Sequence, residues 1–336
     1  MMLAVLGVRY AVHGTKGNFN NHIGVPLSVF GLERHHRCAV FELGMSAPGE
    51  IAALADMVKP GIGVVLNAGP AHMEFFPSLE AVADAKMELL EALRPGDSAV
   101  VNGDDALLRK CQDKTDADII RFGVLGDWDI RGEHVAVDDY GRASFTCGGV
   151  HFVLAVPGVH NVYNALAAVA VGRLLGIGIG EAASALASFT APGMRMQMID
   201  CDGVTYINDS YNANPMSMKT AASVLESTAV SSGGRKIAVL GDMLELGGMS
   251  ESAHREVGAL FGGLGVDIMC LVGEWAGAVA EGAHKEGLQQ DRIRIFGNSV
   301  AAADFVESVR RPGDVILVKG SRGMRMERVI PRNRGN

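Results

Sequence analysis

Between residues 39 and 123, short apolar runs alternate with stretches of helical period. Ala39–Leu43, Gly63–Asn67, Ala99–Asn102 and Ile119–Phe122 are continuous rather than alternating, the pattern of strands covered on both faces. Strands of that kind separated by helices predict an α/β layer with a parallel sheet. From Asp129 to Pro157 the pattern switches to period two around two turn signals, Asp138-Asp-Tyr-Gly141 and Cys147-Gly-Gly149, which predicts a small antiparallel subsheet. Two helices follow, from about His160 to Leu175 and from about Gly180 to Phe189. The stretch Thr190-Ala-Pro-Gly193 punctuates the chain, and the pattern then restarts, so the expected domains are 1–192 and 193–336. The second half repeats strand and helix with short connections. Its expected strands are Ile237–Leu240, Ile268–Val272, Ile293–Phe296 and Val315–Val318, with helices near 217–227, 250–263, 275–285 and 299–310. That is a doubly wound domain, which binds ligands at the carboxyl ends of its strands.

Composition adds limits to this picture. Glycine occupies 43 of 336 positions, about 13% against roughly 7% on average, which implies many tight turns. Apolar residues at 48% and charged residues at 20% supply a large core and exclude a disordered chain. The net charge of −8 argues against nucleic acid or an anionic membrane as a partner and leaves small molecules as the default ligands. Five dispersed cysteines with no C-x-x-C pair indicate neither a disulfide framework nor a zinc site, and a reducing cytoplasm fits. No apolar run approaches a membrane span, so no membrane insertion is expected. Met1 to Val8 reads as the last turns of an apolar helix with no N-cap before it, as though the chain opened inside an element.

Several clusters carry candidate chemistry, each beside a plainer reading. Glu42 and Asn67 close two strands and His72 lies five residues beyond Asn67. A carboxylate and an imidazole at neighbouring strand ends could hold a hard divalent cation, while the same residues also read as loop groups satisfied by turn hydrogen bonds. In the helix from Ser78, Lys86 falls on the apolar stripe of Leu79, Val82, Ala83, Leu89, Leu90 and Leu93. Such a lysine either snorkels or, if desolvated, has a lowered pKa and becomes open to modification or catalysis. His160-Asn-Val-Tyr-Asn164 places two carboxamides three residues apart on the first turn of a helix, fit to pair with an adenine edge or, more plainly, for Asn161 to cap the helix. The segment Asn208 to Ser217, dense in short polar side chains at a strand-to-helix junction, suits a phosphate or ribose and equally an Asx turn with caps. Lys319-Gly-Ser-Arg322 follows a buried strand, at an end where anions bind, or is simply a solvated helix start. No Gly-Lys dipeptide occurs anywhere, so the usual G-x-x-x-x-G-K-[ST] phosphate loop is absent from this chain.

Taken together these segments resemble the Mur ligases, and within them the branch that handles D-alanyl-D-alanine. The matches are Gly17-Asn-Phe-Asn-Asn-His-Ile-Gly-Val-Pro26, Phe41-Glu-Leu-Gly44, Asn67-Ala-Gly-Pro-Ala-His72, Ala85-Lys-Met-Glu88, Val101-Asn-Gly-Asp-Asp105, Gly158-Val-His-Asn-Val-Tyr-Asn-Ala165, Asp209-Ser-Tyr-Asn-Ala-Asn-Pro215, Val239-Leu-Gly-Asp-Met-Leu-Glu-Leu-Gly247 and Lys319-Gly-Ser-Arg322. The resemblance implies a central ATPase-like parallel-sheet domain with a small antiparallel subsheet, then a Rossmann-like doubly wound C-terminal domain. It implies an ATP-dependent amide ligase of peptidoglycan synthesis, joining D-alanyl-D-alanine to a nucleotide-sugar tripeptide through an acyl phosphate, with ATP and Mg2+ as cofactors. By that resemblance Glu42, His72 and Lys86 serve magnesium, Lys86 being carbamylated. Lys86, His72 and Arg195 are the catalytic set, and His160, Asn161, Asn164, Arg195, Asp209 and Asn212 hold the nucleotide. Asn20, Asn21, Asn214, Lys319 and Ser321 fall on the substrate side.

Two departures qualify the match. The family carries an N-terminal domain and a Gly-Lys-Thr loop ahead of the point where this chain opens, so the sequence reads as a fragment or a mis-started frame, expected to be inactive alone. Pro192-Gly-Met-Arg195 also departs from the commoner Pro-Gly-Arg spacing. The competing reading is a non-catalytic remnant that binds adenine nucleotide or D-alanyl-D-alanine. A folylpolyglutamate synthase is disfavoured by the Asp209–Pro215 segment.

Overall fold

A computed structural model describes residues 1–70, 73–191 and 193–331, without the side chains of 111 and 112. The chain divides into two compact units. The first comprises Met1–Ala136, Ala143–Ala155 and Val159–Phe189, and the second Val137–Arg142, Val156–Gly158 and Thr190–Asn336.

The first unit opens with α1 (Met2–Leu6), β1 (Val12–Gly14), α2 (Gly24–Phe30), β2 (Cys38–Val40) and α3 (Glu50–Val58). β1 and β2 pair in parallel as a two-stranded sheet, and β2 is only half-buried rather than covered on both faces. A second, four-stranded parallel sheet runs β3 (Ile62–Val65), β4 (Ser98–Asn102), β5 (Asp118–Gly123) and β6 (Ile130–Arg131) in that order. The period-two stretch was expected from Asp129, but Ile130–Arg131 extends the parallel sheet instead. The separate sheet begins at β7 (Glu133–Val137) and continues through β8 (Arg142–Cys147) and β9 (Val150–Pro157). The short turns joining these three strands leave room only for antiparallel neighbours.

Between β3 and β4, helix α4 (Leu79–Glu91) starts where Ser78 accepts a hydrogen bond from the Ala81 amide, a cap that fixes which face turns inward. Ala83, Met87 and Leu90 of α4 pack with Val65, Ala99 and Val101. Helix α5 (His160–Leu174) is apolar all round, and every residue from Ala165 to Gly172 is buried, as a helix without a polar face requires. Helix α6 (Ile179–Ala187) follows a turn closed at Gly176, whose φ of +79° suits glycine.

The second unit is a six-stranded sheet in the order β10 (Gln197–Cys201), β11 (Val204–Asp209), β15 (Val315–Lys319), β12 (Lys236–Gly241), β13 (Ile268–Val272), β14 (Ile293–Phe296). All neighbours are parallel except β10 with β11, an antiparallel edge the pattern did not predict. Alternate residues of the central strands feed two cores. Ala238, Leu240, Val315 and Leu317 face one, with α7 (Pro215–Ser227), α8 (Ser250–Gly263) and α9 (Ala276–Lys285). Ile237, Val239, Ile316 and Val318 face the other, with α10 (Ser299–Val309).

Candidate functional site

In the first unit the polar residues gather at the carboxyl ends of strands. Glu42 lies just beyond β2, exposed, with its amide donating to Thr15 Oγ1 and its Oε1 accepting from Asn20 Nδ2 at 2.9 Å. Asn20 therefore orients the carboxylate, whereas Asn21 accepts from the Ile23 and Gly24 amides and starts α2. Lys86 is half-buried on α4 and donates to the Asn67 carbonyl at 2.9 Å. Burial pulls its amine below the ordinary lysine value, partly offset by Asp105. His72 lies outside the described residues. Among the described residues no three His, Cys, Asp or Glu side chains gather as a metal cluster.

The first turn of α5 carries His160, Asn161 and Asn164, all half-buried. Asn161 does not cap this helix: it is the second helical residue, the residue before the helix is Val159, and Asn161 Oδ1 accepts from Asn164 Nδ2 at 3.0 Å. The intervening Tyr163 donates to Asp104 Oδ2 at 3.0 Å, and burial with the neighbouring carboxylate pushes its phenol up to about 12. Asp104 also accepts from Trp128 Nε1 (2.7 Å), the Val124 amide (2.6 Å) and the Leu125 amide (3.1 Å). Burial disfavours its charge, but these donors hold the carboxyl below its usual value. Sequence reading did not find this hub, since none of its partners lies near Asp104 along the chain apart from the turn that carries it.

In the second unit, Asp209 and Lys319 end the adjacent strands β11 and β15 and form a buried pair at 2.5 Å. Lys319 Nζ also donates to the Asn212 carbonyl, and Asp209 Oδ1 accepts from the Met196 amide. Burial draws the Lys319 ammonium down from its ordinary value, against the pull of Asp209. Arg195 is exposed between Met194 and Met196, both at positive φ, and its guanidinium lies 4.1 Å from the centre of the Tyr211 ring. Asn212 accepts from the Ala213 amide, while Asn214 and Ser217 form a reciprocal cap on α7. Ser321 accepts from the Leu244 amide and its own amide donates to the Asp242 carbonyl.

Asp242, just past β12, was also missed by sequence reading. Its carboxylate accepts from the Glu274 and Trp275 amides, and His254 stands 3.9 Å away, stacked on Trp275. His254 is 1% exposed. Its Nδ1 meets the Ser250 carbonyl and its Nε2 accepts from the Met243 amide, a pattern only the neutral Nδ1–H tautomer satisfies. Burial lowers its pKa accordingly. Because the folded value lies below the unfolded one of about 6.5, stability is expected to fall as pH drops below that point. A His254→Gln variant should show a flatter decline in denaturant midpoint between pH 7 and 5.5 than the unaltered chain. Equal slopes would remove His254 as the cause.

Residues 1–172 match the Mur ligase middle domain and residues 194–322 the Mur ligase glutamate ligase domain. The UDP-N-acetylmuramoyl-tripeptide–D-alanyl-D-alanine ligase of Bacillus subtilis (strain 168) is 39% identical over 98% of this chain and 71% of its own length. The ligase of the same name from Escherichia coli (strain K12) is 33% identical over 94% and 69%. A crystal structure of MurF from Acinetobacter baumannii superposes with a TM-score of 0.88 at 29% identity, covering 98% of this chain and 71% of that one. MurF from Thermotoga maritima in complex with ADP gives 0.82 at 28%, covering 98% and 74%. On two domain matches that together take in both units, and on relatives alike over nearly its whole length, this chain belongs to the Mur ligase family.

Proposed function

We propose that the chain carries the middle and C-terminal domains of an ATP-dependent ligase that adds D-alanyl-D-alanine to UDP-N-acetylmuramoyl-tripeptide in peptidoglycan synthesis, and that without a Gly-Lys-Thr phosphate loop it is inactive alone. The observation that carries this reading is the carboxamide pair on the first turn of α5, where Asn164 Nδ2 donates to Asn161 Oδ1 at 3.0 Å and holds together two side chains of the type that can pair with an adenine edge. Likeness to the Bacillus subtilis ligase and to the ADP-bound Thermotoga maritima structure supports it. In this reading a terminal carboxylate oxygen of the tripeptide attacks the γ-phosphorus, the bond to the β–γ bridging oxygen breaks and ADP leaves. The amine of D-alanyl-D-alanine then attacks the acyl carbon, phosphate departs and the nitrogen loses a proton. Arg195 balances charge on the transferred group. Asp209, Asn212, Asn214, Lys319 and Ser321 serve nucleotide and substrate in this reading chiefly by fixing backbone, since each is committed to a bond inside the second unit.

Glu42 fits a magnesium ion. It is an exposed oxygen donor at a strand end with one oxygen already steered by Asn20, and Mg2+ takes one or two carboxylates together with phosphate oxygens and water. His72 completes the set in this reading. The lowered amine of Lys86 is suited to combine with carbon dioxide, releasing a proton and leaving a carbamate as a further oxygen ligand. Bound magnesium would supply charge stabilisation to the phosphoryl group in flight. Among the described side chains Cys38, Cys147, Cys201 and Cys270 are free, which suits a cytoplasmic setting for this chemistry.

The test is calorimetric titration with ADP. Asn161→Ala with Asn164→Ala is expected to weaken binding by about 1–3 kcal/mol if both amides make good hydrogen bonds, a 5- to 150-fold rise in Kd. Superimposable curves for the two proteins would overturn the base site.

A further inference from the structure

The Val101-Asn-Gly-Asp-Asp105 segment takes no part in the reading above, yet its Asn102, Asp104 and Asp105 side chains are all bonded to other segments of the first unit. It leaves β4 and sends side chains in two directions. On one side Asn102, 8% exposed, donates through Nδ2 to the Leu66 carbonyl at 2.9 Å, and Asp105 Oδ2 accepts from the Ala68 amide at 2.8 Å. Asp105 Oδ1 is anchored in turn by the Leu107 and Leu108 amides. Between these two attachments lies Asn67, whose carbonyl receives Lys86. Three successive residues, 66 to 68, are thus held from outside by three side chains.

On the other side Asp104 gathers Trp128, the 124–125 backbone and Tyr163. The packing around it leaves no slack. A Cβ on Gly103 would fall 2.6 Å from the Trp128 ring, and one on Gly123 would fall 2.7 Å from Asp104 Oδ2. Tyr163 sits among His160, Asn161 and Asn164, and α5 has no side-chain cap at its start. Burial of Val162 and Ala165 sets which stripe of α5 faces inward. The phenol-to-carboxylate bond ties this first turn to the Asp104 hub.

We propose that this turn positions two parts of the site separately. Asp104, through Tyr163, sets the roll of α5 and so the aim of the base-reading carboxamides, whereas Asn102 and Asp105 fix the 66–68 segment on which Lys86 rests. The inference depends on the function proposed above. Neither aspartate touches a ligand in this scheme, so both are positioning residues, and their effects should separate.

The experiment titrates the whole chain with ADP and with GDP, each with and without Mg2+. Asp104→Asn is expected to weaken ADP about tenfold, the worth of roughly one hydrogen bond, and to bring ADP and GDP closer together, with the Mg2+ dependence unchanged. Tyr163→Phe, which keeps the ring packing, should show the same loss of base preference at a smaller size, and it stands in if Asp104→Asn fails to fold. Asp105→Asn should leave ADP binding without metal as it was and raise the Mg2+ concentration needed to tighten it by several-fold. If the unaltered chain binds ADP in preference to GDP but Asp104→Asn and Tyr163→Phe keep that preference, or Asp104→Asn and Asp105→Asn act alike on both readouts, the proposal falls while the base site stands. Failure of the unaltered chain to bind either nucleotide overturns the base site and this proposal with it.

Discussion

Replacing Lys319 by alanine is expected to destabilise the second unit by about 3–5 kcal/mol, the cost of breaking a buried ion pair from one side. Lys319 is 1% exposed and its partner Asp209 9%, so the substitution leaves a carboxylate with little water to turn to, and an empty space where the side chain stood. The Asn212 carbonyl loses its donor as well. Lys319→Met with Asp209→Asn, which removes both charges and keeps volume, should recover much of the loss, because the pair's gain in attraction is largely offset by its desolvation. Guanidinium denaturation read on Trp275 reports the second unit alone in a Trp128→Phe background. A loss under 1 kcal/mol for Lys319→Ala would mean that water reaches the pair.

The second large effect is steric. Helices α8 and α9 approach so closely that a Cβ on Gly258 would lie 2.0 Å from the Val279 carbonyl oxygen, and one on Gly282 would lie 2.0 Å from that of Arg255. Both obstacles are backbone, which cannot rotate aside as a side chain tip does. Gly282→Val must push the helices apart and open the core that Val257, Phe261, Val279 and Ala283 fill. An expected cost of about 3 kcal/mol follows, at the upper end for overpacking. Gly277, on the same helix with nothing within 4 Å of its would-be Cβ, is the control. Gly277→Ala should be neutral or add about 0.4–1 kcal/mol through the unfolded chain. Equal loss at both positions would show that helix geometry, not contact, is responsible.

How much of this was legible in the sequence follows from range. The strands β12, β13 and β15 carry apolar runs because both faces of each are covered, and their bounds, like those of the more exposed edge strand β14, were readable to within a residue or so. β10 was not readable. It is a half-exposed edge strand of mixed polarity, Gln197-Met-Ile-Asp-Cys201, set up by left-handed residues at Met194 and Met196 that no local pattern announces. In the first unit Ile130–Arg131 carries the same period-two signal as β7 to β9, and only the pairing partner decided to which sheet it went. The same limit applies to the site. The spacing of Asn161 and Asn164 placed both on one turn, and the apolar stripe placed Lys86 inward. Asp104 meets Tyr163 across 59 positions and Asp209 meets Lys319 across 110, separations over which periodicity carries no information. Asn214 has a plain capping bond of its own, which the plainer reading of the Asn208–Ser217 segment anticipates.

The last strand in sequence, β15, is inserted between β11 and β12 rather than added at an edge. During synthesis this has an ordering effect. Until residues 315–319 leave the ribosome, β11 and β12 each present an open parallel edge, and the sheet cannot close however well the intervening helices have formed. Pairing over so long a separation is slow, since the loop must be closed before any contact repays it. The second unit is thus expected to acquire its core in one late step, with Lys319 the final residue of the entering strand and its meeting with Asp209 marking completion. A translation stall before residue 315 would hold exposed strand edges, the species most open to aggregation.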